Sequence, residues 1–159
     1  MIVGRFALVM AVASGLFGCG ASGMRPRYAP LPRAEVDSLA VKPDSLIDDL
    51  RAAVLQEGLS IARMSAAEGY LETRWFDLTT RRTVGGRTSH PARLVRLRFY
   101  TDLIAPGRSQ LVAEAAIRRT VDPSLPERQA ELMAPADHPG RALLDRVLKR
   151  VASGKKGAF

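Results

Sequence analysis

The side chains able to attack, take a proton or bind a metal are few and scattered. Within 159 residues there is one thiol, Cys19, and there are two imidazoles, His90 and His138. Histidine is the side chain whose ordinary pKa suits proton transfer near neutrality. Both precede proline in polar stretches, which places His90 in a loop and His138 in a loop or at a helix start. No serine sits in a Gly-x-Ser-x-Gly elbow, and the spacing of a phosphate loop is absent. Gly85-Gly86 reads as the bend of the connection from Thr79 to Pro91. Two separated histidines form no zinc ligand set, and the carboxylates lack calcium-loop spacing. The expectation is a protein without catalytic residues, metal or cofactor.

A lone cysteine forms no internal disulfide. Cys19 closes the stretch Leu16-Phe17-Gly18-Cys19 after a run from Phe6 to Phe17 that is apolar apart from Ser14 and Gly15, with Arg5 ahead of it. A cation followed by a short apolar run is the pattern of a secretory signal. The run is shorter than the roughly 20 apolar residues that cross a bilayer. The tetrad resembles a bacterial lipobox, which implies removal of residues 1–18 and acylation of Cys19 through its thiol and its new amino terminus; an ordinary signal peptide with a chance thiol is the alternative. Two or three acyl chains, palmitate among them, hold a protein durably at a membrane. In such lipoproteins an aspartate after the cysteine favours the inner membrane. Gly20 stands there, which implies the periplasmic face of the outer membrane.

The remaining residues, 19–159, suffice for one domain with its own core. Twenty arginines and four lysines face 16 carboxylates, a formal charge of +8 that falls to +7 with the loss of Arg5. Such a balance attracts anionic lipid or nucleic acid. An envelope location selects lipid phosphate or an envelope protein, not nucleic acid. Residues 19–34 carry three prolines without apolar periodicity and are expected as a flexible tether, and 153–159 as a disordered tail. Proline lacks the donor that a helix or central strand needs.

Residues 35–152 would then be the folded part. A weak strand is expected over 35–41. Pro43 at a helix start and Leu46, Leu50 and Val54 at four-residue spacing predict an amphipathic helix, ended by Gly58. A strand over 59–64 and a turn over 66–69 follow. Alternation then predicts strands over 70–78, 93–101 and 111–120. Leu71, Thr73 and Trp75 are expected on the covered face with Val95, Leu97, Phe99, Leu111, Ala113, Ala115 and Ile117. A last helix over 139–152 bears Leu143, Leu144, Val147, Leu148 and Val151 as one stripe. The fold class is α+β, an antiparallel sheet of four to five strands with an N-terminal and a C-terminal helix on one face.

A helix ended by Gly58, a strand, then Glu68-Gly69-Tyr70-Leu71-Glu72-Thr73-Arg74-Trp75 resembles the helix-grip domain of the BamC-type outer-membrane lipoproteins, accessory subunits of the β-barrel assembly machinery. The resemblance spans about residues 36–151. It implies a single helix-grip-like domain in an envelope assembly, although the second domain and the long partner-wrapping segment of that family have no counterpart here.

Three groups could carry recognition. Arg74, Arg96, Arg98 and Arg118 share the outer sheet face with Tyr70, Glu72, Phe76, Tyr100 and Glu114, expected as a self-satisfied charge ladder. Arg81, Arg82 and Arg87 lie in a loop with no carboxylate between Asp77 and Asp102, a contact for anionic lipid or a partner. Trp75, Leu97 and Ile117 could line a groove under the last helix. The expected function is a non-enzymatic accessory or scaffold lipoprotein of outer-membrane assembly. The alternative is a periplasmic module that binds a lipid or apolar ligand in that groove.

Overall fold

Helix α1, Pro43–Gln56, starts where the sequence places it, with Pro43 in its first turn and Asp44 near the positive end of the dipole. Its buried stripe is Leu46, Ile47, Leu50, Ala53 and Val54. At its end the Gly58 N–H donates to the Leu55 carbonyl and the Leu59 N–H to that of Val54. This Schellman pair needs a left-handed residue between them, and Gly58 supplies it with φ +80°. The second helix, α2, spans Pro139–Lys156, so it absorbs part of the expected tail. The computed structural model describes residues 23–85, 90–118 and 124–156, with side chains to Ser153. Cys19 and Arg87, like the expected signal over 1–18 and residues 157–159, lie outside the described residues.

The architecture is α+β, an open antiparallel sheet of eight strands with the two helices. Its strands are β1 Glu35–Leu39, β2 Ile61–Ser65, β3 Tyr70–Thr73, β4 Phe76–Asp77, β5 Arg82–Thr83, β6 Leu94–Ala105, β7 Arg108–Arg118 and β8 Glu131–Met133. The backbone of the sheet runs β1-β7-β6-β3-β2, with β4 joined to β6 and β5, and β8 to β7. The strand count therefore exceeds expectation. The additions are short: β5 is a two-residue return after β4, and β8 extends the outer edge of β7 beyond β1. Elements of two or three residues carry too little alternation to be read from sequence.

The expected strand over 70–78 is broken, and the break changes the faces. Glu72 opposes Arg98, whereas Phe76 opposes Val95, so four steps on one strand match three on the other. The extra residue is a β-bulge. At the break the Leu97 N–H donates to Thr73 Oγ1 at 2.9 Å in place of a ladder carbonyl. One extra residue moves every later side chain to the opposite face. Phe76 thus joins the helix-side core, and Trp75 leaves it. That core otherwise has the expected members, Leu71, Val95, Leu97, Phe99, Leu111, Ala113, Ala115 and Ile117, beneath both helices. Arg146 and Arg150 of α2 clamp Glu57 at the end of α1, at 3.0 and 2.7 Å.

Candidate functional site

Strands β3, β6 and β7 place Glu72, Arg98 and Glu114 in one cross-strand row on the face away from the helices, because Glu72 opposes Arg98 and Arg98 opposes Glu114. Alternating signs across three strands would make a ladder. The ladder is not solvated: Arg98 is 2% exposed and Glu114 0%. Two segments cover it. Residues 23–34, expected within a tether, lie along this face, and the 3-10 turn Glu127–Ala130 with β8 closes the far side.

The covering is specific at each contact. The Leu31 N–H donates to Glu114 Oε1 at 2.5 Å, and the Leu31 side chain is buried. Arg128 donates to the Ala29 carbonyl and reaches both oxygens of Glu114 at 2.9 and 3.0 Å. The Arg98 and Arg128 guanidinium groups both lie over the Tyr28 ring, 5.8 and 4.4 Å from its centroid. Arg25 forms a two-pronged bond to Asp102 at 2.7 and 2.8 Å, while its backbone N–H donates to Glu68. The tether expectation is corrected from Gly23 onward. Prolines forbid a ladder strand but not a strap whose polar groups are met one by one by side chains.

At the centre Arg98 donates to Glu131 at 2.6 and 2.8 Å, to Glu72 at 3.2 Å and to Glu114 at 3.4 Å. The Tyr70 hydroxyl donates a short bond to Glu72. Burial by itself would raise the Glu72 carboxyl, but the Tyr70 hydroxyl, Arg98 and Arg96 outweigh it and hold the group below the usual carboxylate range. Burial pushes the Tyr70 and Tyr100 hydroxyls well above their usual values, with neighbouring carboxylates adding to it. For Arg98 burial works against the charge, yet Glu131 and Glu72 raise it above the ordinary arginine value. Both signs are therefore held ionised where unpaired charge would be costly.

Trp75 is the correction among the groove candidates. It is buried at 2% exposure on the outer face, with Arg96 at 4.4 Å and Arg118 at 4.5 Å from its ring centroid. Its indole N–H donates to Glu127 Oε1 at 2.9 Å. Leu97 and Ile117 lie on the other face, in the helix-side core, so the three do not line one groove. Of the four face arginines, Arg96, Arg98 and Arg118 join the network, while Arg74 is exposed beside the bulge. Arg81 and Arg82 are exposed around β5, Arg81 with φ +54°. Two N–H groups of their loop, from Thr79 and Thr80, donate to the Asp77 carboxylate. His138 opens α2, its Nδ1 accepting the Gly140 N–H at 3.0 Å.

Glu127, Arg128 and Glu131 are the members that pattern reading missed. A signal for them exists. Four arginines on one face against Glu72 and Glu114 leave a deficit of anions, and the segment just after β7 supplies two glutamates four residues apart around Arg128. Among the described residues the pairs then balance, with Arg96, Arg98, Arg118 and Arg128 against Glu72, Glu114, Glu127 and Glu131. A neutral, covered network binds its own strap. It offers little net charge to an outside ligand. Among the described residues no three His, Cys, Asp or Glu side chains gather as metal ligands, and no helix is long and apolar enough to cross a membrane. Against models of protein families the chain finds no match, and none among curated proteins.

Proposed function

We propose that this chain is a non-enzymatic lipoprotein, held at the periplasmic face of the outer membrane by acyl chains on Cys19 and serving as an accessory or scaffold subunit of envelope protein assembly. The observation that carries the reading is the stretch Leu16-Phe17-Gly18-Cys19 after an apolar run, only four residues ahead of Gly23, where the strapped sheet begins. The order of helix, Gly58 cap, strand, turn and Tyr70 strand, with both helices against one sheet face, supports a helix-grip fold of the BamC kind. A scaffold needs surfaces, not a pocket, and the exposed Arg81 and Arg82 around β5 suit an acidic partner. An apolar ligand groove is not favoured, because Leu97, Phe99, Leu144 and Val147 are buried between sheet and α2, and the cavity between β1, β7 and α2, lined by Leu39, Leu111, Leu148 and Val151, holds only about 50 Å³.

Intact mass of the protein extracted from membranes tests the anchor. The expected mass lacks Met1 to Gly18 and carries lipid, and Cys19→Ser should accumulate as precursor. A soluble, normally cleaved Cys19→Ser product would end the reading. Crosslinked pull-down of the lipidated chain tests the scaffold role, with partners expected to be lost on Arg81→Glu/Arg82→Glu.

A further inference from the structure

Most exposed large apolar side chains among the described residues, Val36, Leu55 and Leu132 among them, stand singly. Leu103 and Ile104 stand together at the tip of the β6–β7 hairpin, 62% and 50% exposed. There Ala105 opposes Arg108, and Pro106-Gly107 turns the chain with Gly107 at φ +71°. Two adjacent large aliphatic residues at a tip mark a contact.

The described N-terminus is at this same end. Gly69 in the β2–β3 turn accepts the Thr101 N–H at 2.8 Å, Arg25 bonds Asp102, and Gly23 lies so close to Glu68 that a Cβ there would come within 2.7 Å of its Oε1. Met24, 54% exposed, adds a third apolar side chain. Cys19 is four residues before Gly23, and a chain advances at most about 3.6 Å per residue, so an acyl anchor attaches within about 14 Å of Gly23. The opposite end of β6, at Leu94, is eleven steps from Ala105 at the tip, about 36 Å along the strand. Exposed Lys42 before α1 and Arg108 at the start of β7 bring cations to the anchored end, which also carries exposed Asp44 and the Glu68 and Asp102 carboxylates that Arg25 engages.

We infer that Leu103 and Ile104 insert into the lipid surface beside the anchor, so that the domain stands on the bilayer on its hairpin tip. The inference rests on the proposed acylation of Cys19. Its consequence is an orientation: the loop with Arg81 and Arg82 follows β4, which pairs with the Leu94 end of β6, and so faces away from that membrane. The expected lipid contact thus moves from that loop to the hairpin.

Full-length protein carrying Leu103→Cys or Arg81→Cys, purified from membranes and labelled with a polarity-sensitive fluorophore, tests this in vesicles of phosphatidylethanolamine and phosphatidylglycerol. An acylated Cys19 has no thiol to label. The label at 103 is expected to shift to the blue, brighten severalfold and be quenched by lipids brominated on their acyl chains, while the label at 81 keeps its aqueous emission. Adding Ile104→Asp should remove most of the blue shift at 103 without changing the melting temperature. Aqueous emission at 103 in protein whose intact mass carries the lipid would overturn the insertion alone and leave the tip to a protein partner. A mature chain without lipid would overturn the anchor, and the insertion with it.

Discussion

The two faces of the sheet are both buried, and they are buried by opposite means. Toward the helices, Val95, Leu97, Phe99 and Ala115 meet α1 and α2 in an apolar core. Toward the strap, Arg96, Arg98 and Glu114, from the same two strands, meet carboxylates, guanidinium groups and aromatic rings. The apolar face gains from every methylene taken from water, wherever it packs. The charged face gains only when each partner is in place, because desolvation opposes every ion that lacks one. One face is therefore tolerant and the other conditional.

Neighbouring residues on β6 measure the difference directly. Arg98→Ala strips one partner from three buried glutamates and is expected to cost about 3–5 kcal/mol in urea unfolding. A cost near 1 kcal/mol would mean that water reaches the ladder and the two faces are not comparable. Leu97→Ala, one residue away on the other face, should cost about 2–5 kcal/mol through lost burial and a residual cavity. An effect under 1 kcal/mol would show that the helix-side core closes over the gap, or that the register is inverted.

The pH dependence separates the faces further. Glu72 has its folded value held below the unfolded one, about 4.3 for an ordinary glutamate, so its stabilisation is present above that value and is lost as pH falls through the folded one. Glu72→Gln should therefore cost about 1.5–3 kcal/mol at pH 7, with the gap to the parent protein narrowing below about pH 4. Leu97→Ala should show a gap that pH does not change. A Glu72→Gln gap that also ignores pH would deny the carboxylate its charged role. The smallest effect belongs outside both faces: Arg81→Ser/Arg82→Ser should leave stability within about 0.5 kcal/mol, since both side chains are exposed. A larger loss would tie the β5 loop into one of the two cores.

Much of the apolar face was legible because a period of two or 3.6 in hydrophobicity is a local property of the chain. Leu111, Ala113, Ala115 and Ile117 share a face by spacing alone, and they line the core. Leu143, Leu144, Val147 and Val151 do the same on α2. Trp75 was misplaced for a physical reason: a bulge adds one residue without any apolar signature, and Thr73 hides it by lending a hydroxyl to the broken ladder. The strap was missed because Met24, Tyr28 and Leu31 are spaced by prolines, without a period. The partners of the strap, Glu68 and Asp102 for Arg25, Glu114 for Leu31 and Arg128 for Ala29, lie from about 40 to 100 residues away in the chain.

By itself the sequence determined the apolar run ahead of Cys19, the two amphipathic helices, the Gly58 and Gly69 turns, and the apolar parity of β6 and β7. Each of these depends on residues a few positions apart, through backbone conformation or side-chain period. Tertiary structure alone decided that the arginine face is covered and neutral, that Trp75 sits among guanidinium groups, and that the N-terminal segment and the apolar hairpin tip share one end of the sheet. Those outcomes depend on which charges and edges meet after folding. A charge has no period to announce its partner, so its environment is known only when the chain has closed around it.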